Sequence, residues 1–147
     1  MTKAIYLDMD GTIANLYAVE DWLTQLRAYN PTPYAEAEPM VRMASLARLL
    51  NALDRRGYHI AVVSWLSKES TPEYDVAVTE AKREWLISHL PSVCFHEVKI
   101  VAYGTPKSEV VDYPDGILFD DELRNRNEWK GTAYDVANLL ETLRDLL

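Results

Sequence analysis

Apolar residues gather along the chain in five short, nearly unbroken runs. Each is rich in β-branched or aromatic side chains and closed by turn residues, and such runs read as strands. They cover residues 4–7 (AIYL), 59–63 (HIAVV), 98–102 (VKIVA), 116–119 (GILF) and 132–134 (TAY). Most lack polar alternation, so both faces of the sheet should be covered. Between the runs the apolar spacing becomes helical. Met43, Leu46, Leu49, Leu50 and Leu53 share one face of a helix that Gly57 is placed to end. A second helix takes Thr71 as N-cap and Pro72 as its first residue, buries Val78, Ala81, Trp85 and Leu86, and stops near Pro91. A third begins near Asp135, with Val136, Leu139, Leu140, Leu143 and Leu146 inward. Strands alternating with helices predict βαβ units, a parallel sheet and right-handed crossovers. The expected class is α/β, doubly wound, with three layers.

Residues 14–42 break the rhythm, being too long for a simple strand-to-helix connection and interrupted by Asn30-Pro31-Thr32-Pro33. They predict one helix over 19–29 and then an irregular arm, together a small cap-like insertion over the sheet edge. With 147 residues, 48% of them hydrophobic, the chain suits one domain spanning 1–147. A net charge of -8, from 15 basic against 23 acidic residues, counts against nucleic acid or an anionic membrane as partner. The one cysteine, Cys94, cannot close a disulfide within the chain. No apolar stretch near the start has the length of a signal peptide or membrane span, so a soluble, cytoplasmic protein is expected. No feature specifies an oligomeric state.

Parallel sheets bind ligands beyond the carboxyl ends of their strands. The first strand delivers Asp8 and Asp10, the second Ser64, the third the segment Gly104-Thr105-Pro106-Lys107, and the fourth Asp120-Asp121. Like charges crowded in a partly dry cleft repel by several kcal/mol per close pair at an effective dielectric of about 20. A dication removes that repulsion, and oxygen-only donors select a hard one such as Mg2+, which keeps positions for water and phosphate. The carboxylates Asp8, Asp10, Asp120 and Asp121 are thus the candidate metal ligands. A hydrogen-bonded Asp8 stays ionised and can attack phosphorus, while Asp10, two residues on, can protonate the leaving oxygen. Gly11 permits the sharp turn, and Gly11, Thr12, Ser64, Trp65 and Lys107 form the candidate phosphate-binding group. Thr105 as N-cap and Pro106 as first helical residue would set Lys107 at a helix N-terminus suited to an anion.

The order DMDGT, VVS, GTPK, FDD resembles the four motifs of the haloacid dehalogenase-like superfamily and spans most of the chain. The resemblance implies a Rossmannoid fold, Asp8 as the nucleophile that becomes an aspartyl-phosphate, and Asp10 as general acid/base. It implies Ser64 and Lys107 as phosphate ligands and Asp120 and Asp121 as metal-binding acids. Asp10 points to phosphate-ester hydrolysis, since the dehalogenase branch lacks an aspartate there. The stretches YGTPKSEVV and LFDDELRNRNEWKGTAYDV are similar to those of small cytosolic 5'-deoxynucleotidase-like proteins, with Asn127, Glu128, Trp129 and Gly131 matching that group.

The expected function is an Mg2+-dependent phosphomonoesterase for a small phosphorylated metabolite such as a (deoxy)nucleoside monophosphate. Two alternatives stay open: a phosphatase of polynucleotide ends or phosphoproteins, and a non-catalytic receiver-like phosphoacceptor domain. Tyr17 is the first candidate for substrate contact beyond the phosphate, since it follows the catalytic loop most closely. Trp22, Tyr29 and Tyr34 could stack a base or close over the site, with packing against the sheet the expected role for most of them. His59, His89 and His96 do not fall at strand carboxyl ends and are read as structural, and Cys94 as a small hydrophobe.

Overall fold

The computed structural model describes residues 3–147; the first two positions of the expected domain span lie outside it. In chain order the elements are β1 (Ala4–Leu7), β2 (Ala14–Asn15), α1 (Trp22–Arg27), α2 (Thr32–Glu36), β3 (Glu38–Pro39), α3 (Met43–Arg55), β4 (His59–Trp65), α4 (Pro72–His89), β5 (Glu97–Val101), β6 (Ile117–Phe119), α5 (Leu123–Glu128), β7 (Thr132–Tyr134) and α6 (Leu139–Asp145). The main sheet has five strands in the order β5-β4-β1-β6-β7, with every neighbouring pair parallel. This is the doubly wound α/β arrangement that the alternation of runs predicts. Because β1 is central, its residues are buried on both faces. Ile5 and Leu7 meet Leu46, Leu50 and Leu53 of α3 and Leu139 and Leu143 of α6, while Ala4 and Tyr6 meet Trp129 and Leu118 on the other side.

Register positions the carboxyl ends. Leu7 lies beside Val62 of β4 and Phe119 of β6, so the next residues, Asp8 and Asp120, leave the sheet side by side. Gly131 belongs to the frame beneath: a Cβ there would lie 2.0 Å from the Gly116 carbonyl. Trp129 donates its indole N–H to that same carbonyl at 2.9 Å.

Local forces correct four boundaries. The helix expected over 19–29 shrinks to α1, because Asp21 and Tyr29 both take left-handed backbone, at φ of 56° and 57°, and close it at either end. The helix expected from Thr105 is a single 3-10 turn, Lys107–Glu109. Pro106 is extended, and the Thr105 hydroxyl donates back to the Ala102 carbonyl at 2.7 Å instead of capping. The last helix begins at Leu139, four residues late, and α5 occupies a segment that the apolar pattern leaves blank because only Asn125 of it is buried.

Residues 14–42 leave and rejoin the main body through the antiparallel pair β2-β3. Between these strands α1 and α2 rise over the carboxyl edge. Tyr34 of α2 packs with Leu16, Tyr74, Val78 and Ala81, joining the insertion to α4. A second tie is the Trp85 indole N–H, which donates to the Ala37 carbonyl at 2.7 Å. Among the described residues no helix is long and apolar enough to cross a membrane.

Candidate active site

Asp8 follows β1 and is buried with one side-chain donor on each oxygen. Its Oδ1 accepts from Lys107 Nζ at 2.9 Å and its Oδ2 from the Thr12 hydroxyl at 3.0 Å. Lys107 also donates to Asp120 Oδ2 at 2.6 Å, bridging the first and fourth strand ends. Its ammonium lies 5.7 Å from the centre of the Trp65 ring, and that ring is fixed by its own N–H donating to the Thr105 carbonyl at 2.8 Å. The lysine is therefore placed by carboxylates and an indole, with no helix N-terminus behind it. Burial works against its charge, but Asp8 and Asp120 outweigh that and hold its pKa above the ordinary value.

Asp120 accepts further bonds from the Glu122 backbone N–H at 2.9 Å and from Asn125 Nδ2 at 3.1 Å. Asp121 packs against Gly11, where a Cβ would lie 2.2 Å from its Oδ2, and Gly11 has a φ of 80° that favours glycine in any case. The turn after β1 is thereby kept open for the second acid of the pair.

Carboxylate oxygens of Asp8, Asp120 and Asp121 all lie within 4.8 Å of one another. Burial, and then the charge of Asp8, push Asp121 up to about 8 and Asp120 to about 6, the latter against the pull of Lys107. Beside them Asn125 is buried, and its Oδ1 finds no protein partner among the described residues. Three close oxygen donors, acids that resist sharing charge, and an amide oxygen free to accept from a bound water fit a hard divalent cation. The Asp10 carboxylate is not part of this group. It turns the other way, its Oδ2 accepting from Lys82 Nζ at 2.8 Å. Burial raises its pKa, Lys82 opposes that, and Asp8 adds to it.

Those shifts carry a consequence for stability. An unfolded aspartate titrates near 4, so the folded chain binds extra protons as pH climbs from there toward about 8. A group whose native pKa is raised costs stability as it ionises, so metal-free protein should lose stability as pH rises through that window. Thermal melts in EDTA should show the midpoint falling between about pH 5 and 8. Saturating Mg2+ should flatten the slope, and its addition near pH 7 should release protons. Identical slopes with and without Mg2+ would count against a metal at these acids.

The acids open into a cleft of about 400 Å³. Its floor includes Asp8, Asp10, Lys107, Asp120, Asp121 and Asn125, and its walls include Tyr17, Trp22, Tyr29 and Tyr34 from the insertion and Trp65 and Tyr103 from the sheet edge. Tyr17 is 51% exposed and stands edge-on to Trp22 at 5.0 Å, so it offers a face at the mouth. Burial and then Asp10 raise its phenol. Of the residues expected around phosphate, Lys107 and Trp65 reach the cleft, Thr12 serves Asp8, and Gly11 shapes the turn. Ser64 is fully buried and its hydroxyl oxygen accepts from Lys82 at 2.7 Å.

Sequence reasoning missed Lys82 and Asn125. Lys82 had a signal: it sits on the apolar stripe of α4 beside Ala81, Trp85 and Leu86, where a lysine is out of place. Asn125 had none, because the polar segment after the acidic pair shows no period. A second group, His59, Glu97 and Asp112, lies toward the amino ends of β4 and β5. There both Glu97 oxygens are taken, by the Tyr6 hydroxyl, His59 and the Asp112 N–H, in a tie between strands.

The five-stranded parallel sheet flanked by helices, in its strand order, has the haloacid dehalogenase-like Rossmannoid fold. The chain is similar to the crystal structure of D,D-heptose 1,7-bisphosphate phosphatase from Burkholderia thailandensis, with a TM-score of 0.57 and 14% identity over 99% of this chain and 98% of that one. At that identity the likeness speaks for architecture alone. No family model matches the sequence, and no curated protein matches it either.

Proposed function

We propose that the protein is an Mg2+-dependent phosphomonoesterase acting through an aspartyl-phosphate on a small phosphorylated metabolite. The observation that carries this is Asp8: a buried carboxylate at the end of the central strand, 2.9 Å from Lys107 and within ion-sharing reach of Asp120 and Asp121, facing an open cleft. Asp8, Asp120 and Asp121 would hold the ion, which would supply positive charge for the phosphoryl oxygens. Thr12 and Lys107 hold Asp8 aimed at phosphorus. Asp8 forms the new P–O bond as the ester P–O bond breaks, and Asp10 delivers a proton to the departing oxygen. Asp10 then takes a proton from water, which attacks the aspartyl-phosphate, releases inorganic phosphate and restores the Asp8 carboxylate. Lys107, which lines the cleft, steadies the phosphoryl oxygens.

The insertion favours a small substrate, since it walls the cleft on one side. The aromatic lining favours a (deoxy)nucleoside monophosphate, because stacking a base on an aromatic ring contributes roughly 1–3 kcal/mol. A panel of nucleoside monophosphates, sugar phosphates, phosphorylated oligonucleotides and phosphopeptides tests this with Mg2+ present. Phosphate release from nucleotides should exceed that from sugar phosphates by at least about 10-fold in kcat/KM, the value of about 1.4 kcal/mol of base contact. Release from the macromolecular substrates alone would overturn the small-substrate reading. A stably phosphorylated protein with no phosphate release would overturn the enzyme reading.

A further inference from the structure

Asp10 is held by a side chain that no motif contains. Lys82 leaves the buried side of α4 and is 1% exposed. Its Nζ donates to Asp10 Oδ2 at 2.8 Å, to Ser64 Oγ at 2.7 Å and to the Trp65 carbonyl at 2.7 Å. An ammonium has three donors, so all of them are used. The Tyr34 ring of the insertion covers the group, its centre 5.0 Å away. Burying a lysine is costly, and a methionine would fill the same slot among Val78, Ala81 and Trp85 without that cost. The amine is therefore accounted for by what it bonds.

Resting on the phosphatase reading above, we infer that Lys82 is the positioning residue of the acid/base step. It holds the Asp10 carboxyl in one orientation through Oδ2, leaving Oδ1 for the leaving-group oxygen. It also donates to Ser64 and to the Trp65 carbonyl, which ties Asp10 to the end of β4. Lys82 does not touch substrate. The lysines lining the cleft are Lys68 and Lys107, and Lys82 lies behind Asp10 and Ser64.

Lys82→Met deletes the three donors and keeps the stem. The readout is kcat/KM over phosphate monoesters whose leaving groups run from p-nitrophenol to a simple alkanol. A good leaving group departs without a proton and a poor one does not, so alkyl phosphates should lose about 100-fold or more and p-nitrophenyl phosphate less than about 10-fold. A uniform loss across the series, or none, would overturn the inference, because a merely structural lysine would not change leaving-group dependence. If Lys82→Met does not fold, Lys82→Gln, which keeps a donor, is read in the same way. The crystal structure of the folding variant provides an arm independent of activity: Asp10 should leave its present conformer, and an unmoved Asp10 overturns the inference. Wild-type protein inert toward every monoester would instead sink the phosphatase reading, with the Asp10 conformer still deciding the role of Lys82.

Discussion

Asp8→Asn removes turnover, lowering kcat by at least about 10⁴-fold, the range seen when a covalent nucleophile is deleted. The reason is local. The carboxamide matches the carboxylate in shape, and its oxygen can still accept from Lys107 or Thr12, but it cannot form the aspartyl-phosphate and leave again. Folding survives the change. Asp8 raises the pKa of both Asp120 and Asp121, so losing its charge relieves repulsion in the cluster even as it weakens the Lys107 pair. The two effects oppose each other, and the melting temperature should move by only a few degrees. Hydrolysis of p-nitrophenyl phosphate with Mg2+, beside a thermal melt of the same sample, measures both. A variant that turns over at the wild-type rate would show that Asp8 is not the nucleophile.

Chelation should be nearly as severe. With EDTA the rate should fall by at least about 10³-fold and return on adding excess Mg2+, since cation stabilisation of phosphoryl charge contributes several kcal/mol. The same titration should raise the melting temperature, because an ion that binds only the folded state stabilises it by mass action. The two readouts share one cause, the closeness of the Asp8, Asp120 and Asp121 carboxylates. A rate indifferent to EDTA would mean that these acids manage their charge by holding protons and by the pairing of Asp8 and Asp120 with Lys107.

The core strands were plain in the sequence because a strand buried on both faces must be apolar at every position, as in Tyr6-Leu7 and Ile60-Ala61-Val62-Val63. Gly11 could be placed at the turn beside the acids for a similar reason: only its residue type tolerates the backbone there. The insertion was harder. α1 has no fully buried residue, so its apolar positions carry no stripe, and its ends depend on the left-handed backbone of Asp21 and Tyr29. Thr105-Pro106 read as a helix start because the cap preference is local, whereas the actual path of that loop answers to the pull of Asp8 and Asp120 on Lys107.

The chain by itself determined the doubly wound α/β class and the acids its strand ends would carry, because strand periodicity and turn chemistry act between near neighbours. Only the tertiary structure decided how those acids divide. Asp8, Asp120 and Asp121 draw together, while Asp10 turns to a lysine 72 positions away on α4. Such pairings are settled by which buried charges find partners once the layers pack, and that choice leaves no period along the chain.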